Sequence, residues 1–117
     1  MNPKELGRLG ENIAAKHLKK SKYKIITMNY RCHFGEIDII AYKNDTYVFV
    51  EVKTRKNLSY GRPIEAINQK KKIHLLHTGE YYLQTKHIKD CDFRFDGIEI
   101  IMNDSKNPLI HHIVNII

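Results

Sequence analysis

Two strand-like runs, residues 36–42 and 47–53, flank Asn44-Asp45, and this commits the middle of the chain to an antiparallel hairpin. Both runs are rich in β-branched and aromatic residues, and Asn-Asp suits a tight turn between them. In the second run Val48, Val50 and Val52 point to one face, while Tyr47, Phe49, Glu51 and Lys53 point to the other. Both faces are largely apolar, as in a central strand, and the charged end is the exception.

A turn centred on Asn44-Asp45 pairs residues whose numbers add to 89. Asp38 then faces Glu51, and Glu36 faces Lys53. Directly opposed side chains stand ~4.5–5.5 Å apart at Cβ, and like charges so placed are destabilising. A cation is therefore expected there. Lys53 on the same face is one candidate. A Mg²⁺ or Mn²⁺ ion is another, because one or two carboxylates plus water and phosphate suit it. Such a set suits phosphodiester hydrolysis, with the lysine orienting water or stabilising developing charge. Glu11 would add a carboxylate. The bland alternative is a salt-bridged strand end, in which Glu36 and Lys53 form a structural pair.

The remaining pattern is α-β-β-β-α-β-β. Residues 3–20 place Leu6, Leu9, Ile13, Ala14 and Leu18 on one helical stripe, with Glu11 at its edge and Ser21 as a stop. Gly7 and Gly10 fall on the buried side, which predicts close packing against a sheet. Residues 23–30 read as a first strand. Residues 63–85 read as a second helix opened by Pro63, with Ile64, Ile67, Ile73, Leu76 and Leu83 available for burial and Gly79 weakening it. Residues 93–101 and 109–117 read as two further strands. The third and fourth strands, joined through a helix, should be parallel neighbours in a mixed sheet.

At 117 residues the chain is expected to form a single domain, 1–117. No apolar run resembles a signal peptide or a membrane span, so a cytoplasmic protein with no membrane partner is expected. Cys32 and Cys91 stand singly, which argues against a structural zinc site. His74 and His77 make only two ligands, and His111 and His112 point to opposite sides of a strand. The net charge of +7 favours a polyanionic partner. Candidate nucleic-acid contacts are Arg55 and Arg62, Tyr60 as a stacking ring, and Lys71 and Lys72 from the Lys70–Lys72 triplet.

Gly7-Arg8-Leu9-Gly10-Glu11, Asn29-Tyr30-Arg31, Gly35-Glu36-Ile37-Asp38, residues 48–55, Gly61, Pro63-Ile64-Glu65-Ala66 and Arg94-Phe95-Asp96 together resemble the YraN (UPF0102) family, a bacterial family related to endonucleases. That family is similar to the PD-(D/E)XK restriction-endonuclease-like superfamily, and most like archaeal Holliday-junction resolvases. The resemblance implies a restriction-endonuclease-like α/β fold, a mixed sheet flanked by helices. It implies Asp38 and Glu51 as acidic metal ligands with the Val52 carbonyl as a third, Lys53 as the catalytic lysine, and Glu11 as the helix-borne glutamate. Ile37 stands where the superfamily's name places proline, and Lys71-Lys72 where many relatives carry Lys-Gln.

The expectation is a Mg²⁺- or Mn²⁺-dependent DNA endonuclease, favouring branched or non-B substrates and, by analogy, acting as a homodimer. The alternatives are a nucleic-acid-binding accessory module with little or no catalysis, and a protein–protein adaptor in DNA uptake or repair.

Overall fold

The computed structural model describes residues 1–57, 68–103 and 106–117. Asn2 caps helix α1 (Pro3–Lys20). Its side-chain oxygen accepts the Glu5 N–H and its amide donates to the Glu5 carboxylate, both at 2.9 Å. The first bond satisfies a helix-end N–H, the second steadies the cap, and Pro3 sits where no helical N–H is needed. Lys19 and Lys20 in the last turn complement the dipole, and the helix ends at Ser21 as expected.

Strands β1 (Lys24–Cys32), β2 (Gly35–Lys43) and β3 (Thr46–Arg55) follow, then helix α2 (Gln69–Thr85) and strands β4 (Asp92–Ile101) and β5 (Leu109–Ile113). This is the expected order. The sheet runs β1-β2-β3-β4-β5. Among the described strands only β3 and β4 pair in parallel, which the α2 crossover allows. Asn44 and Asp45 have φ of 51° and 58°, the mirror-type turn whose twist matches a two-residue hairpin.

Each helix covers one face. Ala14 and Leu18 of α1 pack with Ile39, Ala41, Val48, Val50, Ile98 and Ile100. Leu75 and Tyr82 of α2 pack with Ile37, Ile40, Phe49 and Phe95. A Cβ at Gly10 would overlap the Thr54 side chain, so that glycine sets how closely α1 approaches β3. Gly79 does the same for α2, since a Cβ there would lie 2.7 Å from Phe95 Cζ. Among the described residues, no helix is long and apolar enough to cross a membrane.

Four expectations change. Nothing lies within 4 Å of a Cβ built at Gly7, so of the two α1 glycines Gly10 alone packs against the sheet. Helix α2 begins after Asn68, whose side chain accepts the Lys71 N–H at 2.9 Å, rather than at Pro63; residues 58–67, with Ile64 and Ile67, lie outside the described residues. Leu75, Thr78, Gly79 and Tyr82 form its buried side, whereas Ile73 is 45% exposed. Finally, β5 ends at Ile113, because Asn115 takes positive φ and donates its N–H to Asp96, turning the chain out of the sheet.

Candidate active site

The hairpin register obeys the sum of 89 from Lys43↔Thr46 to Ile39↔Val50 and then stops. Instead of closing the ladder, Asp38 turns its carboxylate onto β3 and accepts the Val52 N–H at 2.7 Å. A second irregularity explains why. Ile37 and Ile39 should share a face, yet Ile37 lies in the α2 core and Ile39 in the α1 core. Their partners on β1 divide the same way, Tyr30 with Ile37 and Met28 with Ile39. Between them the pairing passes over Asn29 and Asp38. Asn29 has φ of 54°, a conformation asparagine tolerates better than most residues. Both strands turn over at this point, and the side chains of the turnover residues are released from the sheet's regular alternation.

Asn29 uses that freedom to approach Glu11 of α1, where its side chain favours the charged carboxylate. Asp38 uses it to bridge to β3. A strand residue's N–H and C=O point to the same neighbour, so the Val52 carbonyl also faces Asp38's side.

Glu51 is 4% exposed. Its Oε1 lies 3.5 Å from Lys53 Nζ and 3.5 Å from Lys71 Nζ. Its Oε2 is buried with no hydrogen-bond partner among the described residues. A buried carboxylate oxygen without a partner is rare and costly. Burial first, and the nearby Glu51 charge second, push Asp38 up to about 7; the Val52 N–H opposes them, Glu11 adds to the rise, and Lys71 lowers it. Glu11 is also raised, by burial foremost, with the Asn29 side chain opposing and Glu36 and Glu51 adding. The cluster is short of positive charge even with two ammonium groups in reach.

Among the described residues, no three His, Cys, Asp or Glu side chains gather closely enough to hold a metal ion by themselves. The donor set still fits a hard divalent ion, which needs only one or two carboxylates and keeps several waters. Asp38, the orphaned Glu51 oxygen and the Val52 carbonyl are that set.

Glu11 borders two clefts of about 420 Å³ each. One also takes in Gly7, Val52, Thr54 and Arg55, the other Gly7, Asn29, Arg31 and Glu36. Gly7, one turn before Glu11, leaves the shared wall without a side chain. Arg55 therefore stands in the cleft beside Glu11. Lys71 ion-pairs with Glu51 rather than pointing to open solvent. Lys72 lines a separate groove with Gln69, Ile73, Leu76 and Ile117. Tyr60 and Arg62 lie outside the described residues. The expected Glu36–Lys53 pair is replaced: Glu36 Oε2 lies 3.0 Å from Arg31 Nε, its partner in the β1–β2 register, and Lys53 turns to Glu51.

Sequence reasoning missed Asn29 and Glu99. An asparagine inside a run of β-formers was the available signal for the first. Glu99 is 1% exposed, in register with Lys53, and 2.8 Å from His111 Nδ1; its placement needed the β3–β4 register, which no local pattern carries.

Fold and site together define an α/β protein whose mixed sheet splays at the start of β2 to gather carboxylates and lysines between two helices. The family model described as "Uncharacterised protein family UPF0102" matches residues 10–100, and the chain belongs to that family. A UPF0102 protein of Caldicellulosiruptor saccharolyticus is 50% identical over 103 residues, covering 88% of this chain and 87% of the relative. Another, from Alkaliphilus metalliredigens, is 47% identical over 112 residues and covers 96% of each. A third, from Caldanaerobacter subterraneus, is 40% identical over 117 residues, covering 98% of this chain and 96% of the relative.

Proposed function

We propose that this chain is a divalent-metal-dependent endonuclease of the PD-(D/E)XK kind, hydrolysing DNA phosphodiesters in the cytoplasm, with branched or non-B DNA as substrate. The observation that carries the reading is the buried Oε2 of Glu51, without a partner among the described residues, beside an Asp38 carboxyl raised to about 7. Repulsion of this kind is relieved by a cation, and a site with no such use has no reason to keep it.

Asp38, Glu51 and the Val52 carbonyl would hold Mg²⁺ or Mn²⁺. The bound ion supplies Lewis acidity toward the phosphate and a water of lowered pKa. Lys53, 3.5 Å from Glu51, orients the attacking water and stabilises charge developing on the phosphate. Asn29 holds Glu11 toward the same centre. Arg55, in the Glu11 cleft, meets a phosphate. A homodimer belongs to the same proposal: β5 is an open sheet edge, and Leu109, Ile110, Val114 and Ile117 are exposed near it. A monomer in sedimentation at working concentration removes that part.

The direct test incubates the purified chain with labelled single-stranded, duplex and four-way-junction DNA in Mg²⁺ or Mn²⁺. Cleavage is expected, with Lys53→Ala and Glu51→Gln slower by about 10²-fold or more. No cleavage of any substrate, or variants that cut like wild type, overturns the reading. A second readout needs no substrate. An ion bound only by the folded state stabilises it by about 2.7 kcal/mol at 100 times its Kd, so Mn²⁺ should raise the Tm of wild type and leave Glu51→Gln unmoved.

One observation favours a second reading, a nucleic-acid-binding accessory module in DNA processing or uptake. Lys53 and Lys71 already bring two ammonium groups to Glu51, an arrangement that also suits a site without turnover. Salt-dependent DNA binding unchanged by Asp38→Asn, without cleavage, would select it.

A further inference from the structure

The β1–β2 turn is made of His33 and Phe34, between the paired residues Cys32 and Gly35. Tight turns ordinarily take Gly, Asn, Asp or Ser. Here Gly35 alone supplies the positive φ, at 149°, and the two turn positions carry rings. Phe34 is 39% exposed. His33 lies against it tilted by 39° with centroids 4.0 Å apart, while His77 and Tyr81 of α2 meet it edge-on at 5.6 and 5.7 Å. Phe34, His77 and Tyr81 border a concavity of about 250 Å³ completed by Glu80 and Gln84, whose side chains leave one aromatic wall with a hydrogen-bonding rim.

This patch is joined to the acidic site along α2. Lys70, His74, His77 and Tyr81 follow one another at i, i+4, i+7 and i+11, a single helical stripe. Lys70, His74 and His77 on it are exposed. From Lys71, held at Glu51, to Tyr81 the helix rises ~15 Å, the length of about four stacked nucleotides. A chain of phosphates leaving the Glu51 centre along this stripe would bring a base to Phe34.

We infer that the His33–Phe34–His77–Tyr81 cluster is a stacking site for an unpaired nucleobase bearing an exocyclic amino group. Phe34 and Tyr81 offer the ring surface, sequence-tolerant because every base has a π-face. Glu80 accepts from the amino group, as carboxylates do from cytosine N4, and Gln84 adds a second polar contact. The site deepens the nucleic-acid reading above and rests on it.

The experiment is fluorescence anisotropy of fluorescein-labelled oligo(dC) and oligo(dT) dodecamers with the full chain at low salt and without divalent ions. Wild type is expected to bind oligo(dC) more tightly than oligo(dT). Phe34→Leu, which keeps apolar packing and loses the ring, should weaken oligo(dC) about tenfold, and Phe34→Tyr should restore it. Glu80→Ala should erase the preference for oligo(dC). If Phe34→Leu does not fold, Tyr81→Leu carries the same expectation. Wild-type affinity in the folded leucine variants, or no binding by wild type, overturns the stacking site. Ring-dependent binding without cleavage under any metal supports it while overturning the nuclease reading; cleavage with ring-independent binding does the reverse.

Discussion

Asp38 is where the residue-by-residue expectation both succeeds and fails. Its place at the acidic centre was legible, because a hairpin around Asn44-Asp45 leaves little choice of register, and pairing holds as far as Ile39↔Val50. Its partner was not legible, because the alternation rule assumes an unbroken pleat, and Asn29 breaks it by taking positive φ on the neighbouring strand. The result is a carboxyl raised from 3.8 to about 7, by burial first and by Glu51 second. The sign for stability follows. Between those two pH values the folded chain holds a proton that the unfolded chain has lost, so stability falls as pH rises through the window, with the full penalty above about 7. Asp38→Asn keeps an acceptor for the Val52 N–H and removes the charge. Urea unfolding should show the variant equal to wild type near pH 4 and more stable by about 1–3 kcal/mol at pH 8, a span reduced from ~1.4 kcal/mol per unit because Asp38 keeps some solvent contact. A difference independent of pH would show that Asp38 titrates normally. Mn²⁺ should shrink the difference at pH 8, since the ion supplies the charge that the substitution makes unnecessary.

At the scale of the elements, glycines and lysines carry information that periodicity alone misassigns. Gly7 and Gly10 look alike on a helical wheel, both on the buried side. Only contact with another element separates them: Thr54 of β3 fills the space above Gly10, and open cleft lies above Gly7. Thermal unfolding should therefore split them. Gly7→Ala is expected to stabilise by about 1 kcal/mol, the ordinary gain of alanine in a helix interior. Gly10→Ala should destabilise by about 1–3 kcal/mol, because a methyl group there must push α1 off the sheet. Equal effects would mean that α1 does not seat on Thr54. The second helix teaches the same point. From sequence Lys70 to Lys72 read as a run inside a longer helix, with Lys71 and Lys72 as candidate nucleic-acid contacts, whereas they stand in the first turn of α2, where they oppose the macrodipole. Glu51 gives Lys71 its partner, and that contact exists only because α2 folds back onto the sheet, over Ile37 and Ile40 of β2 and Phe49 of β3.

For the whole molecule, the α-β-β-β-α-β-β order and the parallel β3–β4 neighbours follow from the lengths and types of the runs, and they are what the fold contains. What ties the far side of the sheet together was visible only as the motif Arg94-Phe95-Asp96. Asp96 is fully buried. It receives Arg94 at 3.0 Å, His112 at 2.8 Å and the Asn115 N–H at 3.1 Å. Arg94 in turn donates to the Tyr23 hydroxyl at 2.8 Å, so one carboxylate links β4, β5, the chain end and the segment joining α1 to β1. Burial pushes Asp96 up, but the hydrogen bonds from His112, Arg94 and Asn115 prevail and hold it below the usual carboxylate range. Its contribution is therefore present above the unfolded value near 4 and is lost as pH falls through the lower folded value. Asp96→Ala removes the carboxylate that Arg94 and His112 share, leaving the Arg94 charge only the Tyr23 hydroxyl, and should cost about 3–5 kcal/mol at pH 7. The same substitution should also flatten the acid limb of the stability–pH curve, which a mere cavity would not do. Denaturant titrations of both proteins from pH 3 to 7 decide it: a loss that stays constant across that range would mean that Asp96 acts by filling space, and that its charge does not hold the sheet to its C-terminal edge.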